Sequence, residues 1–221
     1  MEETYADYVR GKRLVIVGPA PQIRGSCQGD YIDSHDVVIR IANALPIPEH
    51  LRCDVGSRTD VLYTSFYSGP NPQECNPVAP EMWKANGVQW VCLSSKFDDP
   101  YIWPGLNRFV ALNAGRLPLY MVPPDDCRVL EAELECKPNT GFVAIWDSLR
   151  FDIQSLYVTG ISFFRGGYLT EYRPMNEEEA MAFLGKGEHK QPPQIAKMRK
   201  LVQTDSRLTV DATLQAILDE T

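Results

Sequence analysis

LVIVGPAPQIRGSCQGDYIDSHDVVIRIANALPIPEHLRCDVGSRT, residues 14–59, opens with four branched apolar residues, Leu14–Val17, and breaks at Gly18-Pro19. An apolar run of that length ended by Gly and Pro reads as a buried strand leaving into a loop. A second apolar run, Asp36–Ile41 (DVVIRI), follows a packed set of Asp, His and Arg side chains. The carboxyl end of a buried strand and the turn after it present backbone N–H groups, which suits a charged nucleotide. Gly18, Gly25 and Gly29 let the backbone approach a ligand closely. The loop has no G-x-G-x-x-G and no Walker lysine, so neither NAD nor ATP chemistry is indicated. Gly18, Pro19, Gln22 and Ser26 are therefore the candidate nucleotide contacts of this loop. Asn43, just past the second strand, can offer an amide to a base or ribose. Asp33, His35, Asp36 and Arg40 can instead form a structural network under the loop. Arg40 and Arg58 are assigned to that role.

Outward from this stretch, strands alternate with helices. Further strands are expected at Val61–Tyr63, Val88–Leu93, Leu119–Val122, Gln154–Gly160 and Leu208–Val210. Helices are expected at Glu81–Asn86, Asp125–Glu135, Gly141–Arg150, Glu177–Leu184 and Pro193–Thr204. A last helix follows Asp211, which is placed to cap it. Glu2–Lys12 reads as a short amphipathic helix or an arm. Tyr101–Arg116, with Pro104 and Gly105 among aromatics, gives no clear pattern. The alternation predicts an α/β fold: a single Rossmann-like domain over residues 1–221, with a mostly parallel central sheet flanked by helices.

Composition narrows the function. With 44% hydrophobic and 23% charged residues, 221 residues can bury a sizeable core. The net charge of -7 and the lack of a basic stripe argue against a nucleic-acid partner. No apolar run approaches the ~18 residues of a transmembrane segment, and the N-terminus has no signal-peptide core. The six cysteines, Cys27, Cys53, Cys75, Cys92, Cys127 and Cys136, show no metal-ligand spacing. They are expected to be mostly reduced.

Two later segments carry chemistry. In Lys137-Pro138-Asn139-Thr140-Gly141-Phe142, Asn139 and Thr140 stand where helix N-caps stand. Backbone N–H groups at Gly141 and Phe142 would then face outward and favour an anion. The histidines are only three: His35, His50 and His189. His35 lies between two aspartates and reads as structural. His50, in a Pro-rich turn, reads as exposed. His189 precedes a helix in Gly187-Glu188-His189-Lys190-Gln191-Pro192-Pro193-Gln194. A base near neutral pKa suits proton removal from a hydroxyl, and His fits that need best.

The chain resembles the sialyltransferases, family 29 of the glycosyltransferases. Their large motif is matched by Arg24-Gly25-Ser26, Ile32-Asp33-Ser34-His35-Asp36, Val38-Ile39-Arg40 and Asp54-Val55-Gly56-Ser57-Arg58-Thr59. Their small motif (Pro-Ser-Thr-Gly, a helix, then a strand ending Tyr-Gly) is similar to Pro138-Asn139-Thr140-Gly141 followed by Leu156-Tyr157-Val158-Thr159-Gly160. Their very small motif, a His followed five residues later by Glu, is similar to His189 with Gln194 in the acidic position. The family's first-loop asparagines are replaced by Pro19 and Gln22, and Asn43 follows Arg40 by three residues where the family has two. The disulfide that joins the large and small motifs in animal members has no counterpart here.

The resemblance implies the GT-A-variant sialyltransferase fold and an inverting, metal-independent transfer from a CMP-sugar to a glycan or glycolipid hydroxyl. Sialic acid is the expected sugar, with CMP-Kdo transfer or a non-catalytic CMP-binding module as alternatives. No cofactor is implied beyond the CMP-sugar donor, which is a substrate. His189 is implied as the catalytic base, and Asn139, Thr140 and Gly141 as holding the CMP part. Tyr168 and Tyr172 are the candidates for the family's phosphate-supporting His. Phe66–Pro80 and Phe97–Asn113 are candidate acceptor loops. Animal members carry a membrane anchor and a stem. This sequence shows neither, so a soluble protein of the cytoplasm is expected, or of the Golgi lumen for the core of an anchored eukaryotic protein.

Overall fold

A computed structural model describes residues 3–72, 74–96, 98–174, 176–184 and 189–220. The Leu14 run forms β1 (Arg13–Val17), followed by β2 (Val37–Ile41), β3 (Val61–Thr64) and β4 (Trp90–Leu93). β5 (Leu119–Met121), β6 (Ser155–Thr159) and β7 (Leu208–Val210) complete one sheet in the order β5-β4-β3-β2-β1-β6-β7. Every neighbouring pair is parallel, so the mostly parallel sheet expected from the sequence is wholly parallel among the described strands. β1 pairs Leu14 with Val37 of β2 on one side and with Leu156 of β6 on the other.

β1 is apolar at every position from Leu14 because both of its faces are covered. Leu14 and Ile16 point into one core layer, Val15 and Val17 into another, as the two-residue period of a strand requires. Leu14, Val15 and Ile16 are fully buried, and each such side chain stabilises the fold by about 1.5–3 kcal/mol. Helices supply the outer layers: α1 (Tyr5–Val9), α2 (Gly29–Asp33), α3 (Arg52–Val55), α4 (Pro80–Ala85) and α5 (Trp103–Asn113). They are joined by α6 (Pro124–Leu134), α7 (Thr140–Ser148), α8 (Glu177–Leu184), α9 (Gln191–Thr204) and α10 (Ala212–Asp219). Phe142 and Ile145 of α7, Met198 of α9 and Leu214 of α10 share a core layer with Leu14 and Ile16. Ile32 of α2 and Val55 of α3 pack with Val15 and Val17. No helix among the described residues is long and apolar enough to cross a membrane.

The stretch that gave no clear pattern is the helix α5. Pro104 is one of its first two residues, where its missing N–H costs nothing. A Cβ on Gly105 would collide with the Phe66 carbonyl, so this glycine serves close packing rather than breaking the helix. The structural network expected under the first loop is present. Asp33 accepts from Ser57 N at 2.8 Å and Arg58 N at 3.1 Å. Arg40 Nε donates to Arg58 O and Thr59 Oγ1, both at 3.0 Å, and Nη2 to Val55 O at 2.6 Å. His35 is buried with Nδ1 2.9 Å from Tyr31 O. His50 is exposed and meets Glu171 at 2.8 Å. All six cysteines are free thiols. Cys27, Cys53 and Asp54 nonetheless bring their donor atoms within 4.8 Å of one another, a proximity their linear spacing hides.

Asp147 of α7 is fully buried. Its carboxylate accepts from Tyr63 Oη at 2.9 Å and Tyr120 Oη at 3.1 Å, with Arg150 Nη1 at 3.3 Å. Burial pushes this carboxyl up to about 6, against the opposing pull of the two tyrosines and Arg150.

The turns after β1 and β6 are stitched together by Gly18 N to Thr159 O and Ala20 N to Gly160 O, both 2.8 Å. A Cβ on Gly18 would collide with the Gly160 carbonyl oxygen, backbone against backbone. Gly18→Ala is therefore expected to destabilise by about 1–3 kcal/mol through overpacking. Gly25→Ala is the control: its φ is +79° but nothing lies within 4 Å of the new methyl group, so only the left-handed backbone is penalised. Urea midpoints of the two variants check this, and equal shifts would show that the close approach does not matter.

Candidate functional site

In an open parallel sheet the loops that follow neighbouring strands diverge where the strand order reverses, and a crevice opens at their carboxyl ends. That reversal lies between β1 and β6: the chain leaves β1 toward β2 and returns on the other side as β6. A cavity sits there. Its wall takes Pro19 and Ala20 after β1, Ile41 and Ala42 at the end of β2, Ser65 and Tyr67 after β3, Ser94 and Ser95 after β4, and Gly160–Phe164 after β6. Pro138, Asn139, Thr140 and Gly141 at the start of α7 close one side, and Lys137, Tyr168, Tyr172, Arg173 and His189 also line it.

Several strands end in residues bent into the left-handed region. Ala42 has φ 42°, Phe66 54°, Phe163 51° and Phe164 73°. Four non-glycine residues at such angles cost free energy that the surrounding packing must hold, and strain of this kind gathers at functional sites. Gly166 and Gly167 continue the turn at φ 76° and 77°, where glycine is at ease.

The start of α7 is capped as the sequence suggests. Asn139 Oδ1 accepts from Phe142 N at 2.9 Å. This corrects the expectation that Phe142 N–H faces a ligand: the cap already takes it. Thr140 and Gly141, in the same first turn, remain on the cavity wall. Asn139 is itself held by Gln194 of α9, whose Oε1 accepts from Asn139 N at 3.1 Å and Nδ2 at 2.9 Å. Gln194 is fully buried, and its Nε2 donates to Lys190 O at 2.8 Å. Gln194 therefore orients the helix cap, not the His189 ring that the very small motif suggested.

His189 is oriented by another group. Its Nδ1 lies 2.7 Å from Lys137 O. A carbonyl only accepts, so a neutral ring carries its proton on Nδ1 and its lone pair on Nε2. The ring stacks on Phe164 at 6.2 Å between centroids. Gly187 and Glu188, the first two residues of that motif, lie outside the described residues.

Lys137 Nζ bonds Asp99 Oδ2 at 2.6 Å and lies 5.9 Å from the Tyr67 ring centre. Burial works against an ionised Asp99, yet hydrogen bonds from Lys137 and Tyr101 N hold its carboxyl below the ordinary range. Tyr168 and Tyr172 stack at 5.4 Å. Burial pushes both phenols up, with the nearby Arg173 charge pulling the other way, so they stand ready as neutral donors. Arg173 is 9% exposed, and its Nε has no hydrogen-bond partner among the described residues. Ser94 Oγ is a second buried polar atom on this wall without a partner there.

Of the residues singled out in the sequence, Pro19, Asn139, Thr140, Gly141, Tyr168, Tyr172 and His189 meet at this one cavity. Gly18 and Asn43 border a smaller cavity next to it, which shares Pro19 and Tyr172. Gln22 and Ser26 do not reach either. The short turn Pro21–Ile23 carries the loop away, so Gln22 Nε2 binds Arg165 O at 2.9 Å and Ser26 Oγ faces Asp54 O at 3.4 Å. Both are corrected from ligand contacts to loop fasteners. Sequence reasoning missed Ser65, Ser94 and Arg173. The signal for the serines was present, since Thr64-Ser65 and Ser94-Ser95 each end an apolar run. Tyr67, Glu74 and Asn76, from the stretch Phe66–Pro80 expected to be an acceptor loop, line the cavity. Phe97, where the second such loop begins, lies outside the described residues.

The family model described as glycosyltransferase family 29 (sialyltransferase) matches residues 5–106. No curated protein sequence matches the chain. Among solved structures, the chain is similar to a mammalian sialyltransferase in complex with Gal-beta-1-3GalNAc-ortho-nitrophenol. The TM-score is 0.60 at 19% identity, over 94% of this chain and 71% of that one. It is also similar to the sialyltransferase CstII from Campylobacter jejuni in complex with cytidine-5'-monophosphate, with a TM-score of 0.52 at 11% identity, over 91% of this chain and 80% of that one. The apo form of alpha-2,3-sialyltransferase from the same organism gives 0.54 at 10% identity, over 100% and 86%. The chain is thus sialyltransferase-like: in sequence pattern over residues 5–106, and in fold along its length.

Proposed function

We propose that the protein is a glycosyltransferase that moves sialic acid from CMP-sialic acid to a hydroxyl of a glycan or glycolipid acceptor. One observation carries this reading: the turn at Pro19, the start of α7 at Asn139–Gly141 and the ring of His189 line a single cavity at the reversal point of the sheet. The start of α7 supplies backbone N–H groups for a nucleotide phosphate, and the turn at Pro19 completes the wall beside it. His189 supplies a base.

In the reaction, the acceptor O–H gives its proton to Nε2 of His189. The acceptor oxygen bonds to the anomeric carbon as the bond from that carbon to the phosphate oxygen breaks. The electron pair leaves with CMP, and the configuration inverts because attack and departure are on opposite faces. The transition state has oxocarbenium character, so positioning and stabilisation of the leaving phosphate account for most of the rate. Helix N–H groups, tyrosine hydroxyls and fixed side-chain charge fill the role a divalent ion plays in other transferases. We infer that neither a metal nor a cofactor takes part.

The test is a panel of CMP-sialic acid, CMP-Kdo, CMP and UDP-sugars in thermal unfolding, followed by CMP release with EDTA present. Stabilisation by CMP-sialic acid and acceptor-dependent CMP release are expected. A response to CMP-Kdo alone would change the sugar and keep the mechanism. Binding without release would make the protein a CMP-binding module, and no response to any cytidine nucleotide would end the reading.

A further inference from the structure

Arg173 is the unusual charge of this site. A guanidinium keeps its proton at every ordinary pH, so a buried arginine must be compensated by acceptors. Arg40 shows what compensation looks like: at 2% exposure it has three oxygen acceptors within 3.0 Å. Among the described residues Arg173, at 9% exposure, has one, Glu74 O, at 3.4 Å from Nη2. Its Nε is without a partner among the described residues, and its guanidinium carbon lies 5.6 Å from the centre of the Tyr168 ring. An aromatic face attracts a cation but does not satisfy its N–H groups. Ser94 Oγ adds a second unpartnered polar atom to the same cavity. Such a wall is complete only with an acceptor-rich, negatively charged ligand against it.

We propose that Arg173 is the anion-binding residue of the cavity and takes an oxyanion of the nucleotide-sugar donor, either its phosphate or the carboxylate of its acidic sugar. The inference rests on the CMP-sugar reading and deepens it. Tyr168 and Tyr172 then act beside a fixed positive charge rather than as the sole partners of the phosphate. The arginine binds the donor, and where its partner is the phosphate it also meets the charge that grows as that group departs.

The experiment measures binding of cytidine, CMP and a non-transferable CMP-sialic acid analogue to the wild-type protein, Arg173→Gln and Arg173→Lys. If the phosphate is the partner, Arg173→Gln weakens CMP by roughly 10–100-fold and leaves cytidine unchanged, the loss expected for a charged hydrogen-bonded contact. If the carboxylate is the partner, CMP is unchanged and the analogue weakens by that factor. Arg173→Lys keeps part of the affinity in either case. Equal loss for cytidine, or no loss for both anionic ligands, overturns the proposal, as does failure of both variants to fold. A wild-type protein that binds none of the three ligands overturns the CMP-sugar reading instead.

Discussion

His189→Ala is expected to lower turnover of the CMP-sugar by ~10²–10⁴-fold, the usual contribution of a positioned general base. CMP affinity should change by no more than about twofold, because in the proposed mechanism the lost group acts on the acceptor proton and not on the nucleotide. The geometry makes the base specific. Lys137 O fixes Nδ1 at 2.7 Å and Phe164 stacks on the ring, which assigns the proposed proton transfer to Nε2. His189→Gln separates orientation from chemistry, since its amide can still donate to Lys137 O but cannot act as a base. Both variants should be equally impaired. Turnover equal to wild type in either variant would remove His189 from the mechanism.

The second large effect concerns Asp147. Its folded-state pKa of about 6 lies above the ordinary 3.8. Between these values the folded protein binds more protons than the unfolded chain, so stability falls as pH rises from about 4 through 6. The shift corresponds to a loss of about 3 kcal/mol. Paired carboxylates act in the opposite direction: Glu171, held at about 2 by hydrogen bonds from His50 and Arg24, stabilises as pH rises. The contribution of Asp147 is therefore isolated as the difference between wild type and Asp147→Asn. Urea unfolding at pH 4.5, 6 and 7.5 should show the variant gaining on wild type as pH increases. A difference that stays constant with pH would mean Asp147 is ionised without penalty.

How much of this could be read from the residues follows from how local each signal is. Leu14–Val17 and Val37–Ile39 are legible because a strand buried on both faces must be largely apolar. Asp211 is legible as a cap, and it does accept from Leu214 N at 2.7 Å. Its other oxygen, which takes Thr159 Oγ1 at 2.8 Å and Gly160 N at 2.9 Å, is not, because that contact joins segments about fifty residues apart. The same holds for Gln194 on Asn139. Arg173 follows a tyrosine in an irregular segment, and nothing in the neighbouring residues says that it will be buried. Pro104-Gly105 misled for a different reason: both residues can break a helix, and only the Phe66 carbonyl packed against Gly105 explains why one begins there.

The pairing of β1 with β6 has a consequence for assembly on the ribosome. Strands β1 to β4 can align as the chain emerges, since each lies beside the one before it. β1 then waits with a bare edge until Ser155–Thr159 has been synthesised, because its other neighbour is encoded about 140 residues downstream. Long-range closure of this kind slows folding and leaves a sticky strand exposed meanwhile. Gly160–Phe164 and the later residues of the cavity wall come only after β6, so a nascent chain stopped short of β6 would be a sheet fragment without that wall.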